Sequence, residues 1–345
     1  MTSKQNKKYK VLSLFSGCGG LDLGLEGGFT YLGREYSENL FEIIWANDIN
    51  EKATKTQKLN FPHTEVVCAD ITRLLDVEED KSGAIPLFRE KYVLPKADIV
   101  VGGFPCQDFS LAGKRKGLTV KRGQLYLSMA KVIEEIKPKI FLAENVKGLL
   151  SWENGLGIKT VIDDFSKLGY HIEYKLLNTA DYGVPQTRER VIIVGIRKDI
   201  CKNPKVKWPK VTHSSSPTKE NGLLPWVTLK EAIGDLEDDK KHSCLPNPGY
   251  SKAKKFPGTQ GNNITKADKP GPTMRAEHHG NIEFHYKLPR RLSAREAARI
   301  QSFPDNFVFV SSMTDAYRQV GNAVAPVFGW HLAKMLENTL AKITK

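Results

Sequence analysis

The feature that most constrains this chain is the alternation of its first 200 residues. Apolar runs at 9–15, 42–46, 65–69, 98–101, 139–143, 171–177 and 190–196 read as strands, and helical stretches fall between most of them. In the stretch 123–136, for instance, Leu125, Met129, Val132, Ile133 and Ile136 fall on one helical face. Such alternation predicts an α/β fold with a mainly parallel sheet covered by helices on both sides, and chemistry at the C-terminal edge of that sheet. Further on, Ser293-Ala-Arg-Glu296 is a capping-box pattern, and 323–343 reads as a last helix.

Composition limits the function classes. The chain has 345 residues, 40% of them apolar and 26% charged, which suits a folded protein large enough for two domains. No stretch approaches 18 consecutive apolar residues and the first residues lack a signal-peptide core, so a cytoplasmic protein with no membrane partner is expected. The five cysteines (Cys18, Cys68, Cys106, Cys201, Cys244) are widely spaced with no C-x-x-C pair, which suggests neither a disulfide framework nor a metal site. The net charge of +13 is concentrated. Residues 202–291 hold 17 Lys/Arg against 9 Asp/Glu, residues 107–131 hold 6 against 1, and these two segments carry the whole excess. Residues 202–291 also contain 10 of the 18 prolines and look loop-rich. A single charge run is usually a solvated face, but two such segments suggest a surface presented to a polyanion.

Three adjacent strand ends carry polar or glycine-rich groups. The first strand runs into Phe15-Ser-Gly-Cys-Gly-Gly20, whose G-x-G-G spacing is not the dinucleotide fingerprint G-x-G-x-x-G. Glycines there let a ligand approach the backbone, and the following helix start offers free amides. Asp48 and Asp70 close the second and third strands, placed for ribose hydroxyls and an adenine amino group. Each aspartate alone is more simply a helix N-cap. Together the three ends describe a nucleoside cofactor without phosphates.

The fourth strand empties into Gly102-Gly-Phe-Pro-Cys-Gln-Asp-Phe-Ser110. Cys106 is a candidate nucleophile, although a lone free cysteine more often behaves as a small buried apolar side chain. Its company decides the matter. The ordered set Phe15-Ser-Gly-Cys-Gly-Gly20, Pro105-Cys-Gln107, Glu144-Asn-Val146, Gln186-Thr-Arg-Glu-Arg190, Arg291-Leu-Ser-Ala-Arg-Glu-Ala-Ala-Arg-Ile-Gln-Ser-Phe-Pro304 and Gln319-Val-Gly-Asn322 resembles the DNA cytosine-5-methyltransferases of the compact bacterial, restriction-modification kind. The resemblance spans about 9–341, with 200–280 lacking a family pattern.

The resemblance implies a Rossmann-like S-adenosyl-L-methionine-dependent fold and methylation of carbon 5 of a flipped-out cytosine in duplex DNA. Cys106 would add to carbon 6, Glu144 would hydrogen-bond the ring N3 and exocyclic amine, and Arg190 with Arg188 would bind the cytosine O2. Cofactor contacts would come from Phe15, Gly17, Gly19, Gly20, Asp48, Ile49, Asp70, Ile71 and Asn322. Ile49 stands where many members carry an aromatic residue. DNA contacts would come from Ser110, Lys114, Arg115, Lys116 and Arg122 on a mobile catalytic loop, with Arg115 filling the vacated stack. The segment 273–281 would read bases through Arg275. The implied organisation is a catalytic and cofactor-binding domain at 1–195 plus 318–345 and a target-recognition domain at 196–317, acting as a monomer. The resemblance to the restriction-modification kind also allows a companion restriction endonuclease acting on the same site as a partner.

Three other readings compete. A nucleotide-dependent oxidoreductase has no use for Pro105-Cys-Gln107 with Glu144-Asn-Val146. An RNA cytosine methyltransferase shares the catalytic set but tends to have a distinct recognition region. A silent DNA-binding relative would be expected to have lost Cys106 or Glu144, and both are present.

Overall fold

In the computed structural model, residues 8–75, 92–104, 125–255, 261–276 and 281–343 are described. The strands are β1 (Tyr9–Leu14), β2 (Phe29–Tyr31), β3 (Arg34–Tyr36), β4 (Phe41–Asp48), β5 (Glu65–Cys68), β6 (Ile99–Gly102), β7 (Ile140–Val146), β8 (Tyr170–Asn178) and β9 (Glu189–Arg197), followed by two short pairing segments, β10 (His213–Ser214) and β11 (Leu224–Pro225). Seven of them form one sheet in the order β5-β4-β1-β6-β7-β9-β8. These are the seven runs expected from the sequence. β5 through β7 pair in parallel, and β9 runs antiparallel to both β7 and β8. The chain winds outward in one direction from β1 to β4 and β5, and in the other through β6 and β7. The C-terminal ends of β1 and β6 therefore flank the topological switch point, where open α/β sheets bind ligands.

Side-chain alternation assigns the two faces of the sheet. Val11, Ile99, Val101, Ile140, Leu142, Ile192 and Val194 pack with the helices Gly20–Glu26 and Pro326–Ile343. Leu12, Leu14, Val100, Phe141, Ala143, Val191 and Ile193 pack with the helices Leu125–Ile136 and Leu156–Lys167. Met129, Val132 and Ile133 are fully buried, as the one-sided pattern requires.

A third core unites Leu229, Ile233, Met274, Ile282, Leu292, Ala297, Ile300, Phe303 and Phe307 with Tyr317, Val320 and Ala323, and it reaches Cys18 and Phe61 of the sheet region. It runs without interruption across the 317/318 boundary expected from the sequence. Its helix Ala294–Ile300 starts with the expected capping box, Ser293 and Glu296 each accepting from the other's backbone.

Three details depart from the sequence reading. The last helix begins at Pro326 rather than at 323, because Ala323 is extended and proline is well placed at a first helical position. Strand β7 continues to Val146, so Glu144 lies within it rather than beyond its end. The hairpin of β2 and β3 was not anticipated; its strands have three residues each and its turn is Leu32-Gly33, both at positive φ, without an Asn-Gly signal. Among the described residues no helix is long and apolar enough to cross a membrane, and no group of acidic, histidine or cysteine side chains could hold a metal.

Candidate active site

The turn after β1 is shaped by backbone geometry. Phe15, Gly17 and Gly19 all have positive φ, at 53°, 58° and 87°. The Ser16 amide donates to Asn47 O (3.0 Å) and the Gly17 amide to Asp48 Oδ2 (2.9 Å), so the turn is pinned to the end of β4. A Cβ on Gly17 would meet nothing within 4 Å, which leaves open space beside this backbone. Gly19 is needed for another reason than the expected one: a Cβ there would stand 2.5 Å from the Phe61 ring, so the constraint is packing beneath the turn. Gly20 is likewise closed, by Val324 O at 2.4 Å, which seats the helix start against the stretch after Gln319-Val-Gly-Asn322.

Asp48 is not the N-cap of the following helix; Asn50 is, accepting from the Lys52 and Ala53 amides. The second Asp48 oxygen accepts from the Asn50 amide at 2.8 Å. Burial raises the Asp48 carboxyl above the ordinary aspartate range, against the opposing hydrogen bonds from Asn50, Gly17 and Ile49. Beside it, Ile49 is 69% exposed, an apolar surface at the lip of the strand ends. One strand further out, Asp70 does behave as a cap, its Oδ1 accepting from the Thr72 amide (3.0 Å) and hydroxyl (2.8 Å). The Ile71 side chain is buried in the core with Leu12 and Trp45. Asn322 is exposed at the end of the helix Met313–Asn322.

Behind the turn lies a buried polar chain with no local trace in the sequence. Asp22 accepts from Ser13 Oγ (2.6 Å) and Gln57 Nε2 (2.6 Å), and Gln57 Oε1 accepts from Ser16 Oγ (2.7 Å). Burial lifts the Asp22 carboxyl to about 7.

The second half of the site lies at the ends of β6, β7 and β9. Asn145 is buried, and its Nδ2 donates to Phe104 O (3.0 Å), which fixes the chain two residues before Cys106. Glu144 points to the opposite face of β7 and pairs with Arg190, Nε to Oε1 at 2.7 Å, with both side chains only 11–13% exposed. The antiparallel register explains the pair: Glu144 lies opposite Ile192 and Arg190 opposite Val146, so the two are diagonal neighbours on one face. A Cβ on Gly103 would stand 3.0 Å from Glu144 Oε2, so glycine leaves room for the carboxylate beside the β6 exit. Cys106, with Ser110, Lys114, Arg115, Lys116 and Arg122, lies outside the described residues.

Arg188 is placed differently from Arg190. It is buried, and its guanidinium donates to Met274 O (2.7 Å) and Gly321 O (2.8 Å) rather than facing the Glu144 side. Burial, with the like charge of Arg190, lowers it to about 9, and Glu144 opposes the shift. The arginines of the Arg291 to Pro304 motif are also internal. Arg291 donates to the carbonyls of Ala253, Lys254 and Gly261, and Arg295 to those of Pro246, Pro304 and Phe307. Arg299 forks onto Asp305 at 2.7 Å. Arginines at i, i+4 and i+8 read from sequence as a charged helix face, and only the tertiary carbonyls around them show otherwise. Arg275 is exposed.

Comparison with known proteins identifies the family. The sequence matches the family model for C-5 cytosine-specific DNA methylase over residues 9–338. It is 36% identical to Type II methyltransferase M.NgoFVII of Neisseria gonorrhoeae, covering 97% of this chain and 88% of that protein. It is also 36% identical to Type II methyltransferase M.BsuRI of Bacillus subtilis, covering 97% of this chain and 79% of that protein. Among solved structures, a DNA modification methyltransferase encoded within an E. coli prophage superposes with a TM-score of 0.62 at 24% identity, covering 97% of this chain and all of that one. The Spodoptera frugiperda DNMT2 mutant gives the same TM-score at 20% identity over 96% of this chain and all of that one, a likeness of fold. With a family match across nearly its whole length and relatives at 36% identity, this chain belongs to the C-5 cytosine-specific DNA methylases.

Proposed function

We propose that this chain methylates carbon 5 of a flipped-out cytosine within a specific duplex DNA sequence, with Cys106 as nucleophile, Glu144 and Arg190 as its partners and the β1 turn as the S-adenosyl-L-methionine site. The observation that carries the reading is the Glu144–Arg190 pair at the β7 and β9 ends, held beside the β6 exit from which the chain reaches Cys106 two residues after Phe104.

The chemistry asks for this set. Carbon 5 of cytosine is a weak nucleophile, and addition of the Cys106 thiolate at carbon 6 moves electron density onto it. An ordinary thiol, with a pKa of about 8.5, is only partly ionised at neutral pH, so a positive neighbourhood assists. Glu144 holds the ring N3 and the amine, Arg190 holds O2, and their mutual pairing keeps both in place before the base arrives. Elimination of the carbon 5 proton and of the cysteine then regenerates the enzyme.

S-adenosyl-L-methionine supplies the methyl group, and the residues present suit it. Open backbone at Gly17 accommodates the amino-acid part, Asp48 and Asp70 sit at adjacent strand ends for ribose and adenine, and Ile49 offers an apolar face in place of an aromatic one. Residues 196–317 form the recognition region and 1–195 plus 318–345 the catalytic one, with Ser110, Lys114, Lys116 and Arg122 contacting the DNA, Arg115 filling the vacated stack and Arg275 reading a base. The Type II naming of the relatives supports a restriction-modification setting. Methylation-sensitive sequencing of random duplex DNA treated with the protein and S-adenosyl-L-methionine tests the reading. 5-Methylcytosine within one short motif is expected; methylation of RNA alone, or of another base, would overturn it.

A further inference from the structure

Three motifs far apart in sequence meet at one buried node. The Met274 amide donates to Gln186 Oε1 (2.7 Å), Gln186 Nε2 donates to Gln301 Oε1, and Gln301 Nε2 donates to Ala323 O (2.5 Å). Both glutamine side chains are fully buried. Each amide therefore has its donor and acceptor ends fixed by the next, a relay with one consistent polarity. Arg188 crosses this relay and joins Met274 O to Gly321 O. Gly321 is glycine because a Cβ would stand 2.3 Å from the carbonyl carbon of Arg275. Further bonds fasten the same stretch: Gly271 N to Pro185 O at 2.9 Å, Thr187 N to Gly271 O at 3.0 Å, and Thr273 Oγ1 to Thr187 O at 2.8 Å.

A buried guanidinium whose direct bonds go to two backbone carbonyls, with Glu144 acting on it only through its charge, is costly to keep. Burial of that kind persists where it specifies an arrangement that apolar packing would leave loose. Arg188 stands immediately before β9, two residues from Arg190, so its bond to Met274 O ties the segment 271–276, and its bond to Gly321 O ties the stretch behind that segment, to the start of the strand that carries half of the catalytic pair.

We infer that Arg188, with Gln186 and Gln301, is a positioning residue that sets the base-reading segment around Arg275 in register with the Glu144–Arg190 pair, rather than a group that touches the cytosine. This rests on the proposed reading that the segment contacts bases.

The test compares Arg188→Lys and Thr273→Val with the wild type. Lysine keeps the charge but presents no fork for two carbonyls, and valine removes a single bond from the same clamp. Two readouts are taken: hydrogen exchange of the amides at 273–276, and the ratio of methylation at the preferred site to that at sites differing by one base pair. Arg188→Lys should raise exchange at Met274 at least tenfold and lower the discrimination ratio at least tenfold, with S-adenosyl-L-methionine affinity changed less than threefold. Thr273→Val should move both readouts the same way by a smaller factor, and it carries the test alone if Arg188→Lys does not fold. Unchanged exchange would overturn the clamp. Faster exchange with unchanged discrimination would overturn the link to reading and show that 271–276 is not the reading segment. A fall in turnover at every site alike, with discrimination intact, would return Arg188 to the base.

Discussion

Replacing Glu144 by glutamine isolates the charge of the catalytic pair, because the two side chains have the same shape. In the wild type the Arg190 Nε–H meets a carboxylate oxygen at 2.7 Å with both partners almost wholly covered, so solvent screens the pair little. Glutamine can still accept that bond, but as a neutral acceptor. The bond stays charge-assisted through the guanidinium, so what is lost is the ion-pair attraction; with both partners 11–13% exposed this is less than the roughly 3–5 kcal/mol of breaking a fully buried pair, and the exchange costs roughly 1–2 kcal/mol. The loss is deepened by Arg188, which is buried and already lowered by Arg190, and for which Glu144 is the compensating charge. A total of about 2–3 kcal/mol follows, seen as a lower denaturant midpoint with an unchanged slope. Catalysis should suffer more. The variant no longer offers N3 a carboxylate able to share a proton, and loss of a positioned acid or base typically lowers turnover by about 10² to 10⁴. Single-turnover methylation with saturating donor and DNA measures the second effect, urea unfolding the first. Turnover within tenfold of wild type would refute the role given to Glu144; an unchanged midpoint would refute the pairing with Arg190.

Cys106→Ser should abolish methyl transfer and leave DNA binding within about threefold, since an alkoxide is far less accessible than a thiolate at neutral pH; turnover above a few per cent in a quench assay would count against the nucleophile. Asp48→Ala should weaken S-adenosyl-L-methionine binding at least tenfold by calorimetry, because both oxygens that pin Gly17 and Asn50 are lost; unchanged affinity with an intact fold would place the pocket elsewhere. Asp22 carries a carboxyl lifted to about 7, above its ordinary value, so the folded state holds a proton that the unfolded chain has already released. Stability relative to Asp22→Asn should therefore fall as pH rises from about 4 to about 7, and a pH-independent difference would contradict the burial argument. Arg275→Ala should relax the methylated sequence, costing about 1–3 kcal/mol of discrimination if it forks onto guanine, whereas Lys114→Ala should weaken binding to every sequence and flatten its salt dependence. Site preferences unchanged in the first, or altered in the second, would reverse the assignment.

Much of the fold could be read from the chain because its signals are local. Each sheet strand is a short apolar run bounded by polar residues, and the two-sided burial of Val11 and Leu12, or of Phe141 and Leu142, follows from alternation alone. Glu144 and Arg190 were legible as motif residues, and the antiparallel register supplies the reason they meet. The roles of Arg188 and Gly19 were not legible. Arg188 looks identical to Arg190 in a Gln-x-Arg-x-Arg pattern, and its separation from the base side is set by the carbonyls of residues 274 and 321, far away in sequence. Gly19 is closed by the Phe61 ring, a contact with no local trace. The same holds for Arg291 and Arg295, whose partners, Asn262 Oδ1 apart, are backbone carbonyls that any sequence could supply.

The central claim is a covalent adduct between Cys106 and carbon 6 of the target cytosine. It is tested most directly by incubating the protein and S-adenosyl-L-methionine with duplex DNA carrying 5-fluorocytosine at the methylated position, then digesting the product and locating the modified peptide by mass spectrometry. Fluorine at carbon 5 blocks the final elimination, so a denaturation-resistant complex is expected, with the nucleotide on the peptide containing Cys106 and no complex for Cys106→Ser. Free protein alone on denaturing gels, or an adduct on Cys18, Cys68, Cys201 or Cys244, would contradict the account.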